Sequence, residues 1–422
     1  MKEIIPYLLN SLGLRQSPHP NHIETHKPEF CSCCGNSLEN GEIIGVEKRQ
    51  VFDLPPPPEI EVTEYQSFTV QCPRCGNKTS GKFPENVVTS VQYGPRIKAH
   101  LAYLVHYQLI PYDRVTELCS DLFGFSISPG TIVNLTHNLA DKLQMFKNRV
   151  LNCLKSEQVI HTDETGVRVE GKTNWLHVTC TPDLTYYSLQ RKRGREAIDD
   201  ISILPEYKGI CVHDFWNPYL AYSCEHSFCC AHLIRELTRV EEETSQKWSS
   251  ELIDLFLEAK SAKEKYHNFG VLIPEIIRNS LNSSYDEIVQ VGLNENPPPL
   301  RSTKKRGRIK KSFARNLLER LVAWKKGILK FIDHPNVPFD NNLAERDIRM
   351  MKVKMKISGG FRDFSTGRAI ALIRSYISTI RKNRCNVIEG LVLAFENEPW
   401  LPESNFTSLF VPETTTVGVL TT

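Results

Sequence analysis

The chain has 422 residues, and at roughly 100 to 200 residues per domain this length predicts two to four domains. Hydrophobic residues make up 40% and charged residues 24% of the sequence, a globular composition that excludes a disordered or collagen-like chain. The sequence has no apolar run of the roughly 18 residues that a membrane span needs, and residues 1–14 lack the order of a signal peptide. We therefore expect a cytoplasmic protein. The net charge of +3 does not by itself indicate a nucleic-acid partner.

Two cysteine pairs come first along the chain. Cys31 with Cys34, and Cys72 with Cys75, form two C-x-x-C-G motifs in which the glycine lets backbone amides turn toward the thiolates. Four thiolates at this spacing favour one tetrahedral, structural Zn²⁺ without an open position. Cys33 lies inside the first pair and has no assigned role. The alternative is a set of unrelated thiols on loops, and either reading fits a reducing compartment better than disulfides.

The cysteine motifs belong to a predicted zinc-binding module over residues 29–84, preceded by a polar N-terminal tail, residues 1–28. Two strand-like stretches, residues 43–54 and 60–71, are joined by the four prolines of residues 55–58. We predict a small β module with a stiff connector.

Residues 93–150 have helical spacing instead. One apolar stripe ends at Gly124, and Ser128 followed by Pro129 predicts the start of a second helix. Two helices with a short turn are typical of a helix-turn-helix that binds DNA. A plain helical hairpin is the alternative, because the second helix is not strongly basic.

From residue 158 onward the period changes to two, which indicates strands. The predicted elements are strands over 159–163, 174–180, 185–189 and 209–214, a helix over 195–204, helices through 232–335 and a last long helix from about 340. This order predicts a ribonuclease-H-like mixed α/β catalytic domain, residues 155–395, with a helical insertion at about 238–338. A C-terminal tail, residues 396–422, would follow, and the whole protein would be multidomain α+β.

Three acidic residues are candidates for catalysis. Asp163 and Asp214 each end an apolar strand at its carboxyl end, where α/β sheets place ligand sites. Glu345 lies on the last helix beside an apolar face of Ala344, Ile348, Met351 and Met355. Three such carboxylates can hold two Mg²⁺ ions for phosphoryl transfer on nucleic acid.

Basic residues near these acids predict a DNA-binding surface. Arg349, Lys352 and Lys356 share the helix face of Glu345, and residues 301–330 contain 12 Lys or Arg against one Glu. The densest run includes Lys304, Lys305, Arg306 and Arg308. Phosphate backbone is the expected target, with a solvated face as the alternative.

Cysteine and histidine also cluster in residues 224–232, where Cys229 and His232 form the tightest pair. We consider a second metal site at this pair, and a packed, hydrogen-bonded turn is the favoured alternative.

Taken together, these motifs resemble the transposases of the insertion-sequence-66 family, within the DDE superfamily. The resemblance spans about residues 29 to 395, and its matches include residues 93–98, 110–114, 161–168, 175–177, 193–196, 212–214, 230–236, 339–349 and 358–362. It implies that Asp163, Asp214 and Glu345 bind the catalytic Mg²⁺ ions, with Mn²⁺ as a substitute. Asp163 would bridge both ions, while Glu164 would face the opposite side of its strand.

The resemblance also implies a bacterial, nucleoid-associated DNA transposase that acts as a homo-oligomer, with or without accessory proteins of the same element. Its partners would be the element's terminal inverted repeats and target DNA. Family members commonly carry longer heptad-containing N-terminal regions, whereas about 30 residues precede Cys31, so zipper-mediated assembly is not expected. Two alternatives stay open: a catalytically inactive DNA-binding regulator, and a nuclease without strand transfer.

Overall fold

The structure is a computed structural model that describes residues 15–57, 59–268, 271–299 and 310–403. It divides the chain into two units, residues 1–60 and residues 61–422, which are described separately here. Lys304, Lys305, Arg306 and Arg308, predicted to contact DNA, lie outside the described residues.

The described part of the first unit contains a tight turn at residues 31–36. Phe30 and Ser37 form an isolated antiparallel bridge around it. The described residues from 41 to 57 contain no strand, so the strand prediction for residues 43–54 is wrong. Ile44 is 97% exposed and Val51 is 93% exposed. The alternating apolar side chains therefore lack the buried face that would stabilise a strand.

The second unit begins with a matching turn. Strand β1, Thr69–Gln71, pairs antiparallel with strand β2, Lys78–Ser80. The predicted strand over residues 60–71 is therefore limited to its last three residues. The upstream prolines have no N–H to donate to a ladder, and the described residues before β1 pair with no neighbouring strand.

A helical region follows. It consists of helix α1, Pro95–Ala102, a π-helical turn, Tyr103–Tyr107, and helices α2, Tyr112–Phe123, α3, Pro129–Lys142, and α4, Gln144–Ser156. As predicted, Ser128 caps α3, because its Oγ accepts a hydrogen bond from the Thr131 N–H at 3.1 Å. Gly124, at φ 66°, ends α2 in the left-handed conformation. Leu139 of α3 is fully buried, in the same apolar cluster as Ile373 near the C-terminus.

The centre of the second unit is a five-stranded mixed sheet. Its strands are β3, Val159–Val169, β4, Lys172–Cys180, β5, Thr185–Gln190, β6, Ile210–His213, and β7, Glu225–Phe228. Their order is β5-β4-β3-β6-β7: β3, β4 and β5 pair antiparallel, whereas β6 pairs parallel with β3 and β7 parallel with β6. Helix α5, Arg195–Ile201, connects β5 to β6.

The structure differs from the predicted strands at two places. β3 does not end at Asp163 but continues to Val169, because β4 pairs along it from His161 onward. Sequence analysis missed β7, whose four residues show no apolar alternation. Both faces of the sheet are buried: Ile160 of β3 lies in one apolar cluster, and Val159 lies in another on the opposite face.

Helices form the rest of the second unit. They are α6, Cys230–Thr244, α7, Lys247–Asn268, α8, Glu275–Glu295, α9, Phe313–Ala323, α10, Lys325–Ile328, α11, Lys330–Asp333, α12, Asn342–Ser358, α13, Phe364–Lys382, and α14, Val387–Phe395. In the described part of the chain, none of these helices is long and apolar enough to cross a membrane. The predicted C-terminal tail begins with residues that contact the core, since the Pro402 carbonyl accepts a hydrogen bond from Arg149.

Candidate functional site

The site lies where β3 and β6 stop pairing. Their parallel register sets Val159 beside Ile210 and His161 beside Val212. Continued for two more residues, this register places Asp163 beside Asp214. Adjacent strands are about 4.8 Å apart, so the two carboxylates lie at the same edge of the sheet.

Asp214 follows β6 immediately and begins a strained turn. Its Oδ1 accepts a hydrogen bond from the Trp216 N–H at 3.1 Å. The intervening Phe215 has φ 68°, a left-handed conformation that costs a bulky residue about 1 to 3 kcal/mol. Its ring stacks on Phe228 of β7, with ring centroids 3.5 Å apart. This packing offsets the backbone strain of the turn that follows Asp214.

Glu345 reaches the same edge of the sheet from the first turn of α12. The predicted apolar face of this helix is confirmed: Ala344, Ile348 and Met351 are buried against side chains of β3, β4 and β5. Asp347 fixes α12 from another side, because Thr185 and Lys382 both donate to its carboxylate.

Asn341, the N-cap residue of α12, joins the helix to β3. Its side chain is 1% exposed, and its Nδ2 donates to the Thr162 carbonyl at 2.8 Å. Its Oδ1 accepts a hydrogen bond from His161 Nδ1 at 2.9 Å. These bonds hold the first turn of α12, which carries Glu345, against the strand that carries Asp163. Sequence analysis did not assign a role to Asn341.

The electrostatics of Asp163 show that the three acids interact. Burial, and then the charges of Glu164, Asp214 and Glu345 in that order, raise the pKa of Asp163 from its usual 3.8 to about 7. One hydrogen bond, from the Glu164 N–H at 2.8 Å, opposes the shift. Such a concentration of negative charge is suited to divalent metal ions.

Glu164 has different partners from Asp163, as strand alternation predicts. Its carboxylate accepts hydrogen bonds from Arg193 at 2.6 Å and from the Tyr219 hydroxyl at 2.6 Å. The Arg193 guanidinium lies over two aromatic rings, 4.8 Å from the centroid of Trp175 and 4.3 Å from that of Trp216. Burial raises the pKa of Glu164, while Tyr219 and Arg193 oppose this shift. The Glu164 carboxylate is therefore occupied by hydrogen bonds to Arg193 and Tyr219 and has a structural role next to Asp163.

Cys229 and His232 lie on the other side of Glu345. Cys229 is the N-cap residue of α6 and is fully buried, with its Sγ accepting the Asn341 N–H at 3.2 Å. His232 Nδ1 lies 3.9 Å from Glu345 Oε1. The ligand atoms of Cys229, His232 and Glu345 all lie within 4.8 Å of one another. The predicted pair of Cys229 and His232 therefore has Glu345, one of the three candidate catalytic acids, as a third neighbour.

The basic side chains of α12 are exposed. Arg349, Lys352 and Lys356 all face solvent, and none of them forms an ion pair with another described residue. Lys354 of the same helix is instead buried, 5.8 Å from the centroid of the Tyr112 ring. The exposed cations remain available for a polyanion.

The two cysteine turns have the same local geometry. The Cys31 N–H donates to the Asn36 carbonyl and the Cys72 N–H to the Asn77 carbonyl, both at 2.8 Å. Gly35 and Gly76 both have φ 73°, a conformation that favours glycine. Backbone N–H groups of Cys34 and Cys33 lower the pKa of Cys31, and those of Cys75 and Arg74 lower the pKa of Cys72. Each turn therefore favours a thiolate, the form that binds metal.

Two family models match the sequence. The model described as "Transposase IS66 family" matches residues 90–369, and the model described as "zinc-finger binding domain of transposase IS66" matches residues 28–76. The first match covers more than half of the chain. The chain belongs to the IS66 transposase family. No curated protein is similar enough to count as a match.

Family membership gives the described geometry its context. An IS66 transposase with a zinc-finger domain has DNA as its partner. The matched range includes Asp163, Asp214, Glu345, Cys229 and His232, so the acid cluster and the adjacent Cys-His pair both lie inside the transposase region.

Proposed function

We propose that this IS66-family protein binds the terminal inverted repeats of its element, cleaves to free 3′-OH ends and joins them to target DNA by two-metal phosphoryl transfer. The observation that carries this proposal is the interaction of three carboxylates from remote chain segments, Asp163, Asp214 and Glu345, at one sheet edge. The sheet order, with three antiparallel strands first and two parallel strands after, supports a ribonuclease-H-like catalytic core.

The residues at this edge fit divalent cations. Asp163 has three acidic neighbours, and Glu345 Oε1 is buried without a hydrogen bond from any described residue. We assign Asp163 to both Mg²⁺ ions, Asp214 to one and Glu345 to the other, with Mn²⁺ as a substitute. The bound ions would supply a Lewis acid for the leaving oxygen and activate the attacking oxygen.

The protein's own residues position this chemistry. Asn341 sets the spacing between Glu345 and Asp163, and the Phe215 turn directs Asp214. Arg193 binds the Glu164 carboxylate and so keeps this neighbouring acid from competing for the ions.

DNA binding is assigned to exposed basic residues and to the zinc-finger domain. Arg349, Lys352 and Lys356 continue along α12 from Glu345, so their cations would contact phosphates near the scissile bond. Lys304, Lys305, Arg306, Arg308 and the helices of residues 93–150 are proposed to extend this surface. Four cysteines, Cys31, Cys34, Cys72 and Cys75, would bind structural Zn²⁺, supported by the zinc-finger match. Assembly as a homo-oligomer, with or without accessory proteins, belongs to the same proposal.

The experiment is a strand-transfer assay on pre-cut and uncut DNA ends, taken from the DNA that flanks the gene, with Mg²⁺ and a target plasmid. Wild type should cleave and join, whereas Asp163→Asn and Glu345→Gln should lose both activities by several orders of magnitude. Both variants should still bind the ends, because affinity depends on basic surfaces. Glu258→Gln, an exposed acid on α7, is the matched control and should keep full activity.

The outcomes separate three functions. Cleavage without joining of pre-cut ends would indicate a nuclease without strand transfer. End binding without either reaction, in wild type as in Asp163→Asn, would indicate an inactive DNA-binding regulator. Retained cleavage in Asp163→Asn would refute the assignment of the acids.

A further inference from the structure

A group of unlike metal ligands, formed by buried Cys229 and half-buried His232 and Glu345, adjoins the acid trio. Cys229, His232 and Glu345 offer one sulfur, one imidazole nitrogen and one carboxylate oxygen, all within 4.8 Å of one another. Ligands of Zn²⁺ lie about 2.0 to 2.3 Å from the ion, hence roughly 3.3 to 3.8 Å from each other in a tetrahedron. Small side-chain rotations would bring these three atoms to that spacing.

Two of the three ligand atoms lack a hydrogen bond inside the protein. His232 Nδ1 and Glu345 Oε1 are both buried, and neither has a hydrogen-bond partner among the described residues. A buried polar atom without a partner costs about 1 to 3 kcal/mol. The two atoms are 3.9 Å apart, which is too long for a hydrogen bond and leaves room for an ion that contacts both.

The third ligand atom is held by backbone donors. Cys229 lies at the N-terminus of α6, and its Sγ accepts the Asn341 N–H at 3.2 Å. Burial raises the pKa of the Cys229 thiol, and the backbone N–H groups of Asn341 and His232 that point at its sulfur oppose this shift. His232 follows three residues later on the same helix face, so a single helical turn presents both side chains to Glu345.

We infer that Cys229, His232 and Glu345 bind one divalent transition-metal ion of the Zn²⁺ type. Thiolate and imidazole ligands select Zn²⁺ and similar ions over Mg²⁺, which prefers oxygen. With three protein ligands, a tetrahedral ion keeps a fourth position open to water or to a phosphate oxygen. The ion would hold the Glu345 carboxylate in place next to Asp163 and Asp214. The statement that this helps cleavage rests on the proposed function. The metal site itself does not.

Metal content of the full-length chain tests the inference. Wild type, Cys229→Ser and His232→Ala are equilibrated with Zn²⁺ alone, dialysed, and measured for zinc per chain by elemental analysis. Both variants should hold one equivalent less than wild type. This difference does not depend on how much zinc Cys31, Cys34, Cys72 and Cys75 bind, because those residues are unchanged in all samples.

Cys230→Ala is the matched control. Cys230 is also buried, but its sulfur lies near the Phe228 and Ile328 carbonyls, so the variant should keep the full zinc content. Substitution of Co²⁺ for Zn²⁺ gives a second readout: the thiolate-to-metal absorption band should weaken in Cys229→Ser and persist in Cys230→Ala. Equal zinc content in folded Cys229→Ser and in wild type would overturn the inference.

If Cys229→Ser does not fold, Glu345→Gln and His232→Gln replace it. Each should weaken Zn²⁺ binding at this site by at least about tenfold, the loss typical of a removed supporting group, and unchanged affinity in both would overturn the inference. Asp163→Asn distinguishes the two proposals, because it should abolish cleavage and keep the full zinc content. A Cys229-dependent zinc ion in a wild-type protein that cleaves no DNA would refute the proposed function and leave the metal site standing.

Discussion

Replacement of Asn341 by Ala tests how the third acid is positioned. The change removes the hydrogen bonds of the side chain to the Thr162 carbonyl at 2.8 Å and to His161 Nδ1 at 2.9 Å. Both partners are buried and would be left unsatisfied. At about 1 to 2 kcal/mol for each lost bond, the free energy of unfolding should fall by about 2 to 4 kcal/mol. Asn342→Ala is the matched control, since Asn342 is the next residue and is exposed.

The activity of the Asn341→Ala variant should fall as well. A displacement of Glu345 by about 1 Å relative to Asp163 is enough to cost on the order of 10²-fold in rate. The assay measures urea unfolding and DNA cleavage as a function of Mg²⁺ concentration for wild type, Asn341→Ala and Asn342→Ala. We expect the Asn341 variant to need more Mg²⁺ for half-maximal cleavage. If both variants had the same stability and the same Mg²⁺ requirement, Asn341 would not position the site.

Two further predictions concern charge. Burial, and then the charge of Asp183, raise the pKa of Glu157 from 4.5 to about 7. Ionisation of Glu157 therefore destabilises the fold. This loss of stability is absent below pH 4.5 and complete above pH 7. Glu157→Gln should exceed wild type in unfolding free energy by about 1 to 2 kcal/mol at pH 8, after allowance for solvent screening, and match it near pH 4.5. Glu258→Gln, a change at an exposed acid, is the control. If Glu157→Gln raised the free energy of unfolding equally at all pH values, ionisation of Glu157 would not be the cause. Changing Lys352 and Lys356 together to Ala should weaken specific and non-specific DNA binding alike and reduce the slope of log K against log salt by roughly two units, at about 0.9 per phosphate contact; an unchanged slope in a folded variant would show that these cations do not contact DNA.

Local sequence patterns were sufficient to predict the helices and strands that have a continuous buried face. β3, β6 and α12 were predicted because each presents apolar side chains at one period to a core. The strands predicted near the cysteines failed for the converse reason: Ile44 and Val51 alternate with polar residues but are exposed. β7 was missed because only Ser227 and Phe228 of its four residues are buried, too few to form a pattern.

The residues of the site also fall into those that local sequence patterns predict and those that they do not. The positions of Asp163 and Asp214 could be predicted because each follows a short apolar run, and the parallel register of β3 and β6 brings them together. Asn341 could not be, since its partners His161 and Thr162 precede it by about 180 residues. The approach of Glu345 to His232 depends on where α6 and α12 cross, which no local period reveals. Asn341 has one sequence signal, its place before the helix of Glu345, where Asn commonly caps a helix.

The wide separation of the acids along the chain also has a consequence during synthesis. Asp163 and Asp214 are made first, and Glu345 arrives only after the helical insertion of more than 100 residues has left the ribosome. Until α12 docks on β3 through Asn341, a nascent chain has two of the three carboxylates and an open sheet edge. Under the proposed function, the protein would therefore be unable to cut DNA during its translation until α12 has been made and has docked.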